Sequence, residues 1–174
     1  RVALVGAGSR KDFSADRLRR VSVTGSLAAR QRRVTSIALV HRPGTGLSAR
    51  DAAQVLAEGA VLANFDGATY KTKQPAPTWI ENVQVRIEGE SAVIASAIQR
   101  GRVLGEYTNI ARGLSNEPSN VLTPRAFAAT AGDIAVKAGL GVEILDEARI
   151  AELRMGLLLG VARGSQEPPR VVVL

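Results

Sequence analysis

The chain has 174 residues, of which 45 % are hydrophobic and 3 % aromatic, and it contains no cysteine. This length suits one ordinary domain or parts of two, and the apolar content is typical of a globular protein rather than a disordered one. No apolar run approaches the ~20 residues of a membrane-spanning helix, which argues against a membrane protein. Missing cysteine excludes disulfides and thiolate metal sites in this segment, and it fits a cytoplasmic protein.

The formal net charge of +7 is concentrated in the first 50 residues. That part holds ten arginines and one lysine against Asp12 and Asp16, a balance of +9. The forked guanidinium group of arginine binds phosphate groups well, so this charge is compatible with a nucleic-acid-binding module. No recognition-helix or RNA-binding motif accompanies it. The same arginines are also explained if they simply lie on solvent-exposed faces of an arginine-rich protein, with no binding partner. We favour this second explanation and keep the first as the alternative.

The first half of the chain predicts alternating strands and helices, the pattern of an α/β protein. The apolar runs at Val2–Val5, Val34–Val40 and Val83–Ile87 predict three strands. Ser14 and Ser48 each precede a helical pattern and are predicted helix caps. The predicted apolar stripes are Leu18, Val21, Leu27 and Ala28 on the first helix and Ala52, Val55, Leu56, Gly59 and Leu62 on the second.

A long helix is predicted from about Glu90 to Leu114, after a proline-containing loop over residues 66–82. Its apolar stripe at spacings of three and four includes Ile94, Gly101 and Leu104, and the helix would be roughly 37 Å long. A helix of that length suits a bridge between two domains. Pro118 is predicted to end it, because proline disfavours the helical conformation of the residue before it.

The last third of the chain predicts a helix, a strand, a short helix and two further strands. Thr123 and Pro124 start the first helix, and Gly139 and Gly141 close it. Val142–Leu145 predicts a strand, and Asp146 is predicted to cap the short helix that follows it. The two further strands are predicted at Leu157–Val161 and Val171–Leu174.

Two candidate sites near the start of the chain have plain structural explanations. The Gly6-Ala7-Gly8-Ser9 turn resembles a dinucleotide loop, but position 11 is Lys, so the third glycine that lets a helix pack under a pyrophosphate is missing. We interpret it as a turn after a strand. His41, the single histidine, has no metal-ligand partner nearby in sequence and is predicted to be a surface residue.

Two groups of charged residues also have structural explanations. Asp146, Glu147 and Glu152 form a carboxylate cluster in sequence. However, Asp146 is explained as a helix cap, and Glu147 as a negative charge that interacts favourably with the helix dipole. Lys71 and Lys73 flank Thr72 in a loop, where we expect a structural role. Two-metal hydrolysis needs several converging carboxylates, and no such set is apparent.

The second half of the chain resembles the leucyl (cytosol) aminopeptidase family. The resemblance is carried by an Asn-Glu-Pro-x-Asn-x-x-Thr-Pro pattern at residues 116–124 and by Met155-Gly156 followed by Gly-Ser-x-Glu-Pro-Pro at residues 164–169. Upstream, Glu58-Gly59 and Tyr70-Lys71 fit the family more loosely. In the first pattern the amide and hydroxyl groups of Asn116, Asn120 and Thr123 are predicted to hold a turn rather than an active site.

The resemblance implies an incomplete N-terminal α/β (macro-like) domain at 1–89, a linker helix at 90–116, and the first αβαββ part of a truncated α/β catalytic domain at 117–174. The family's Gly-Lys-Gly and Asn-Thr-Asp-Ala-Glu-Gly-Arg motifs do not occur, so no catalytic, cofactor-binding or metal-ligating residue is assigned here. The chain opens in one predicted strand and stops in another, and we expect a fragment, inactive alone.

For the parent protein the resemblance implies a hydrolase that releases N-terminal residues from peptides with two divalent cations, Mn²⁺ or Zn²⁺. It also implies a cytoplasmic homo-hexamer. DNA binding by the basic residues of 1–50 remains the alternative. An ADP-ribose-like ligand in the first domain has only the fold analogy behind it.

Overall fold

The structure, a computed structural model, describes residues 2–73 and 76–174. Helices and strands are mixed along the chain, which confirms the predicted α/β class. The chain forms two compact units, divided between Gly113 and Leu114. The loop predicted over residues 66–82 contains neither helix nor strand in its described part before Asn82, and Pro75 lies outside the described residues. Among the helices described, none is long and apolar enough to cross a membrane.

Unit 1 contains one βαβ arrangement between two further helices. Its elements are α1 (Ala15–Gln31), β1 (Ser36–Val40), α2 (Ala49–Ala63), β2 (Asn82–Arg86) and α3 (Ser91–Asn116), the last of which ends beyond the unit. β1 and β2 pair in parallel, with Ile37 opposite Val83 and Leu39 opposite Val85. Parallel neighbours need a crossover connection, and α2 supplies it.

Local signals place the helix starts of unit 1 as predicted. Ser14 accepts a hydrogen bond from the backbone N–H of Arg17 at 3.3 Å, and Ser48 accepts one from that of Asp51 at 3.0 Å. Each hydroxyl satisfies a backbone donor that the first helical turn leaves without a partner. The long helix predicted over residues 90–116 is confirmed as α3. The division of the chain into domains at 89/90 and 116/117 stays a prediction.

The packed face of α1 differs from the predicted stripe. Leu18 is buried as expected, but Leu27 is 40 % exposed, and the other buried residues of the helix are Ser22 and Ser26. The reason is the close approach of α2, since a Cβ added at Gly59 would lie 2.6 Å from the Ser22 Cβ. Only small side chains fit at such a crossing, so the serines are buried and Leu27 is turned outward.

The predicted strand at Val2–Val5 is wrong, because these residues form neither strand nor helix. Val2 is 91 % exposed and Leu4 is 95 % exposed. A strand needs a neighbour for its backbone donors and acceptors, and the described sheet of unit 1 consists of β1 paired with β2 alone. An apolar run favours a strand, but it cannot provide that neighbour.

Unit 2 is a small arrangement of helices on a two-stranded antiparallel sheet. Its elements after the end of α3 are α4 (Pro124–Lys137), β3 (Glu143–Leu145), α5 (Glu147–Glu152), α6 (Gly156–Ala162) and β4 (Val171–Val173). β3 and β4 pair with Ile144 opposite Val172. Gly139 has a φ of +74°, which suits glycine, and it follows α4 as predicted.

The predicted strand at Leu157–Val161 is also wrong, because this run lies within the helix α6. The order of unit 2 is therefore αβααβ rather than αβαββ. The periodicity of a short apolar run cannot show whether it forms a strand or a helix, and this run forms a helix. No residue of α6 is buried, and Leu157 is 91 % exposed.

Candidate functional site

The glycine turn at residues 6–9 stands apart from any helix start. Gly8 has a φ of +79°, a left-handed conformation that glycine adopts without strain. A short 3-10 helix at Arg10–Asp12 follows, and α1 begins only at Ala15. The backbone N–H groups at the start of α1 are thus separated from the turn, unlike those of a dinucleotide loop.

His41 is held in a structural contact. Its Nε2 lies 3.0 Å from the hydroxyl of Thr45, and its backbone N–H donates to the carbonyl oxygen of Arg86. The ring is half-buried, and this burial lowers the pKa of His41 because it disfavours the charged imidazolium. Nowhere in residues 2–73 and 76–174 do three or more His, Cys, Asp or Glu side chains form a group that could hold a metal ion.

The carboxylates of the predicted cluster are each engaged separately. Asp146 caps α5 as predicted, accepting from the backbone N–H of Arg149 at 2.9 Å. Glu152 pairs with the Arg149 guanidinium at 2.8 Å, and Glu147 pairs with that of Arg170 at 2.5 Å. A hydrogen bond from its own backbone and the Arg170 guanidinium lower the pKa of Glu147. These groups form helix caps and ion pairs rather than a converging site.

The Arg170–Glu147 pair fixes the family-like proline segment of unit 2. Arg170 also donates to the carbonyl oxygen of Pro169 at 2.7 Å, and Glu167 lies 3.6 Å from the Arg125 guanidinium. These contacts join residues 167–170 to α4 and α5 ahead of β4. The charges of these ion pairs neutralise one another locally.

Thr123 is confirmed as one of the side chains that hold the turn before α4, and the roles of Asn116 and Asn120 stay predictions. Thr123 accepts from the backbone N–H of Ala126 at 3.3 Å, and the Pro118 carbonyl oxygen accepts from the backbone N–H groups of Val121 and Leu122. α3 ends at Asn116, two residues before the proline. The recognisable motif at residues 116–124 is therefore a helix stop and a helix start.

Two open depressions lie on the described surface. One, of about 430 Å³, lies in unit 2, and its polar lining includes Arg170, whose guanidinium is already bound by Glu147. The other, of about 330 Å³, lies in unit 1 and is lined by Ile87, Gly89, Ser91, Ile94, Ala95 and Ile98. Neither combines a nucleophile with a base. Lys71 and Lys73 are exposed, as expected for a surface loop.

A set of contacts that the sequence did not reveal docks α3 on α2. A Cβ at Gly101 would overlap the carbonyl oxygen of Gln54, and one at Gly105 would lie 2.8 Å from the Val61 Cβ. The two glycines lie one turn apart, and their missing side chains let the helix backbones approach. Ala53, Ile94 and Ala97 form an apolar cluster beside them.

The carboxyl end of α2 is capped by three side chains from neighbouring helices. Asn109 donates to the carbonyl oxygen of Val61 at 2.7 Å, and Arg112 donates to that of Leu62 at 3.0 Å. From α1, Arg30 donates to the carbonyl oxygens of Ala63, Phe65 and Thr78. Cations suit the negative end of a helix, and a helix end leaves carbonyl groups without partners.

Both arginines also stack on aromatic rings of the following loop. The Arg112 guanidinium lies 3.9 Å from the ring centroid of Phe65, and that of Arg30 lies 4.5 Å from the ring centroid of Trp79. Asn64 closes the loop by pairing with both backbone groups of Ile80. The residues near Glu58-Gly59 in sequence thus belong to a helix junction, and the Glu58 carboxylate pairs with the Arg19 guanidinium at 2.8 Å.

The fold and this junction define an α/β framework whose described residues hold no metal centre. Two family models match it in order: the N-terminal domain of the cytosol aminopeptidase family at residues 1–74, and the catalytic domain of the same family at residues 109–174. The chain belongs to the cytosol aminopeptidase family.

Relatives and solved structures agree with this assignment. A probable cytosol aminopeptidase of Solibacter usitatus is 41 % identical over 177 residues, with 100 % of this chain and 35 % of the relative covered. The probable cytosol aminopeptidase of Bacillus subtilis is 32 % identical, with the same coverage. The chain thus spans about a third of the length of these curated relatives.

Among solved structures, the bottromycin maturation enzyme BotP matches with a TM-score of 0.82 and 32 % identity, covering 97 % of this chain and 35 % of that one. A tomato leucine aminopeptidase mutant matches with a TM-score of 0.81 and 26 % identity, covering 91 % and 32 %.

Proposed function

We propose that this chain is the framework part of a metal-dependent leucyl aminopeptidase, which hydrolyses N-terminal residues from peptides. The observation that carries the proposal is the order of the two family matches along one chain. The helix α3 begins after the first matched segment and ends inside the second. A shared fold alone would not justify an activity, whereas two successive domains of one enzyme family support it.

The residues described here do not fit the metal centre that such an enzyme needs. No group of three or more potential ligands exists in residues 2–73 and 76–174, and each carboxylate of the Asp146 region has its own partner. We therefore place the two cations, Mn²⁺ or Zn²⁺, on residues outside this chain. One solved BotP structure is described as a complex with Mn, which supports a divalent cation in the family.

The contribution of this chain is positional. Close contacts at Gly101 and Gly105 and hydrogen bonds from Asn109 and Arg112 fix one face of α3 on α2, so the position of α3 within unit 1 is defined. Its last residues, from Asn109 onward, already belong to the segment that matches the catalytic domain. Peptide substrates, a cytoplasmic location and a homo-hexamer belong to the proposal for the whole enzyme, and the comparisons give no support to the nucleic-acid alternative.

The test compares the 174-residue chain with a chimera in which it replaces the matched segment of the Solibacter usitatus relative. Both are assayed with a chromogenic leucine amide and added Mn²⁺, and the unaltered relative is the control. We expect no turnover by the chain alone and turnover by the chimera. Turnover by the chain alone, or an inactive folded chimera beside an active relative, would contradict the proposal.

A further inference from the structure

The glycine turn at residues 6–9 lies beside two guanidinium groups that have no counter-charge. The Arg17 guanidinium lies over this turn, with its Nη1 3.5 Å from the position of a Cβ built at Gly8. Arg10 directly follows the turn, and its guanidinium donates to the carbonyl oxygen of Gly44 at 2.7 Å. No ion pair among the described residues includes either arginine.

The carboxylates of this part of the chain do not neutralise these cations. Asp16 is already bound by Arg19 at 3.0 Å and by Arg20 at 2.8 Å. Asp12 is the only other acidic residue among the first 50. One carboxylate thus remains for the two guanidinium groups beside the turn and the ammonium group of Lys11, so this part of the surface keeps a positive charge.

The turn and its two arginines lie near the carboxyl end of β1, the side on which open α/β sheets bind ligands. The bond from Arg10 connects the turn to the loop between β1 and α2, in which Gly44 and Gly46 have φ values of +94° and +83°. A Cβ at Gly6 or Gly46 would meet no atom within 4 Å, so the space beside both loops is open. Guanidinium groups beside exposed glycine backbone provide the forked donors and the close approach that suit a phosphate group.

We infer that the turn at residues 6–9, together with Arg10 and Arg17, binds the phosphate group of a small molecule. The site differs from a dinucleotide loop, because its positive charge comes from side chains rather than from the start of α1. It is separate from peptide hydrolysis and does not depend on the proposed function.

NMR titration of the 15N-labelled 174-residue chain with pyrophosphate tests the inference. We expect saturable shifts of the backbone amide resonances of Gly8 and Arg10, which sodium chloride at equal ionic strength does not reproduce. Arg17→Met should weaken the binding roughly tenfold, since it removes a hydrogen bond between two charged groups. Shifts that chloride reproduces, or that do not saturate, would show an adventitious ion only and overturn the inference.

Arg20→Met is the matched control, because it removes the same charge from the same helix, and Arg20 already pairs with Asp16. We expect it to change the dissociation constant of pyrophosphate by less than about twofold, since exposed charges at a distance are screened by salt. Equal weakening by Arg17→Met and Arg20→Met would also overturn the inference, because it would show a response to net charge alone.

A short DNA duplex distinguishes a small phosphate from a nucleic-acid backbone. Duplex binding that both variants weaken equally, without saturable binding of pyrophosphate, would replace the inference by the nucleic-acid alternative. The peptidase assay reports on the proposed function separately. An inactive chimera beside saturable pyrophosphate binding would contradict that function and support the inference.

Discussion

Gly101 of α3 lies against the carbonyl oxygen of Gln54 in α2, with no room between them for a side chain. Because the neighbour is backbone rather than a flexible side chain, it cannot move aside without displacing the helix. This contact, with those of Asn109 and Arg112 further along, determines where α3 runs on unit 1.

Replacing Gly101 with alanine should therefore destabilise unit 1. We expect a loss of about 3 kcal/mol, the upper part of the range for overpacked sites, despite alanine's better helix propensity. The measurement is urea unfolding followed by the fluorescence of Trp79, the single tryptophan, which lies in unit 1. Gly113→Ala is the control, since nothing lies within 4 Å of a Cβ there. An equal response of the two variants would refute tight docking at Gly101.

The two buried serines of α1 should respond in opposite directions to alanine. The Ser22 hydroxyl donates to the carbonyl oxygen of Leu56 at 2.7 Å, whereas the Ser26 hydroxyl is buried without a hydrogen-bond partner in the described structure. We expect Ser22→Ala to cost about 1 kcal/mol and Ser26→Ala to stabilise by about 1 kcal/mol, because an unsatisfied buried hydroxyl is unfavourable. Trp79 fluorescence in urea measures both, and a destabilised Ser26→Ala would show that its hydroxyl has a partner.

Arg112 should matter far more than another arginine of the same helix. Arg112→Met loses the bond to Leu62, the bond to Asn109 and the contact with the Phe65 ring. We expect a cost of about 1–2 kcal/mol, allowing for its exposed position. Arg100→Met, at an exposed position of α3, should change stability by less than about 0.5 kcal/mol. Similar losses in the two variants would contradict the capping role.

The pKa of His41 should lie below its ordinary value of 6.5, because the half-buried ring is poorly solvated. Since the unfolded chain then binds the proton more readily, the contribution of His41 to stability is complete above pH 6.5 and is lost as the pH falls through the folded-state pKa. NMR titration of the single imidazole, folded and in urea, measures the difference. A folded midpoint at or above the unfolded one would be the opposite of this expectation.

The sequence predicted local features of this fold well and distant contacts poorly. The caps at Ser14, Ser48, Thr123 and Asp146 are confirmed because each depends on residues within one helical turn. The strands at Val2–Val5 and Leu157–Val161 were wrong because a strand depends on a neighbour that an apolar run does not specify.

The helix junction was missed for the same physical reason. Gly101 was correctly placed on the apolar stripe of the long helix, but its contact with Gln54 joins residues far apart in sequence. Arg30 gave no local signal either, since the carbonyl groups that it binds lie more than 30 residues away. The family motif at residues 116–124, by contrast, was recognised and correctly interpreted as a turn between helices.

We propose that this chain provides the framework of an aminopeptidase and not its metal centre. Calorimetric titration of the folded 174-residue chain with Mn²⁺, and separately with Zn²⁺, tests it most directly, with the chimera as the control. We predict no saturable binding by the chain and binding of two cations per protomer by the chimera. Saturable binding by the chain at one or two cations per molecule would contradict the claim.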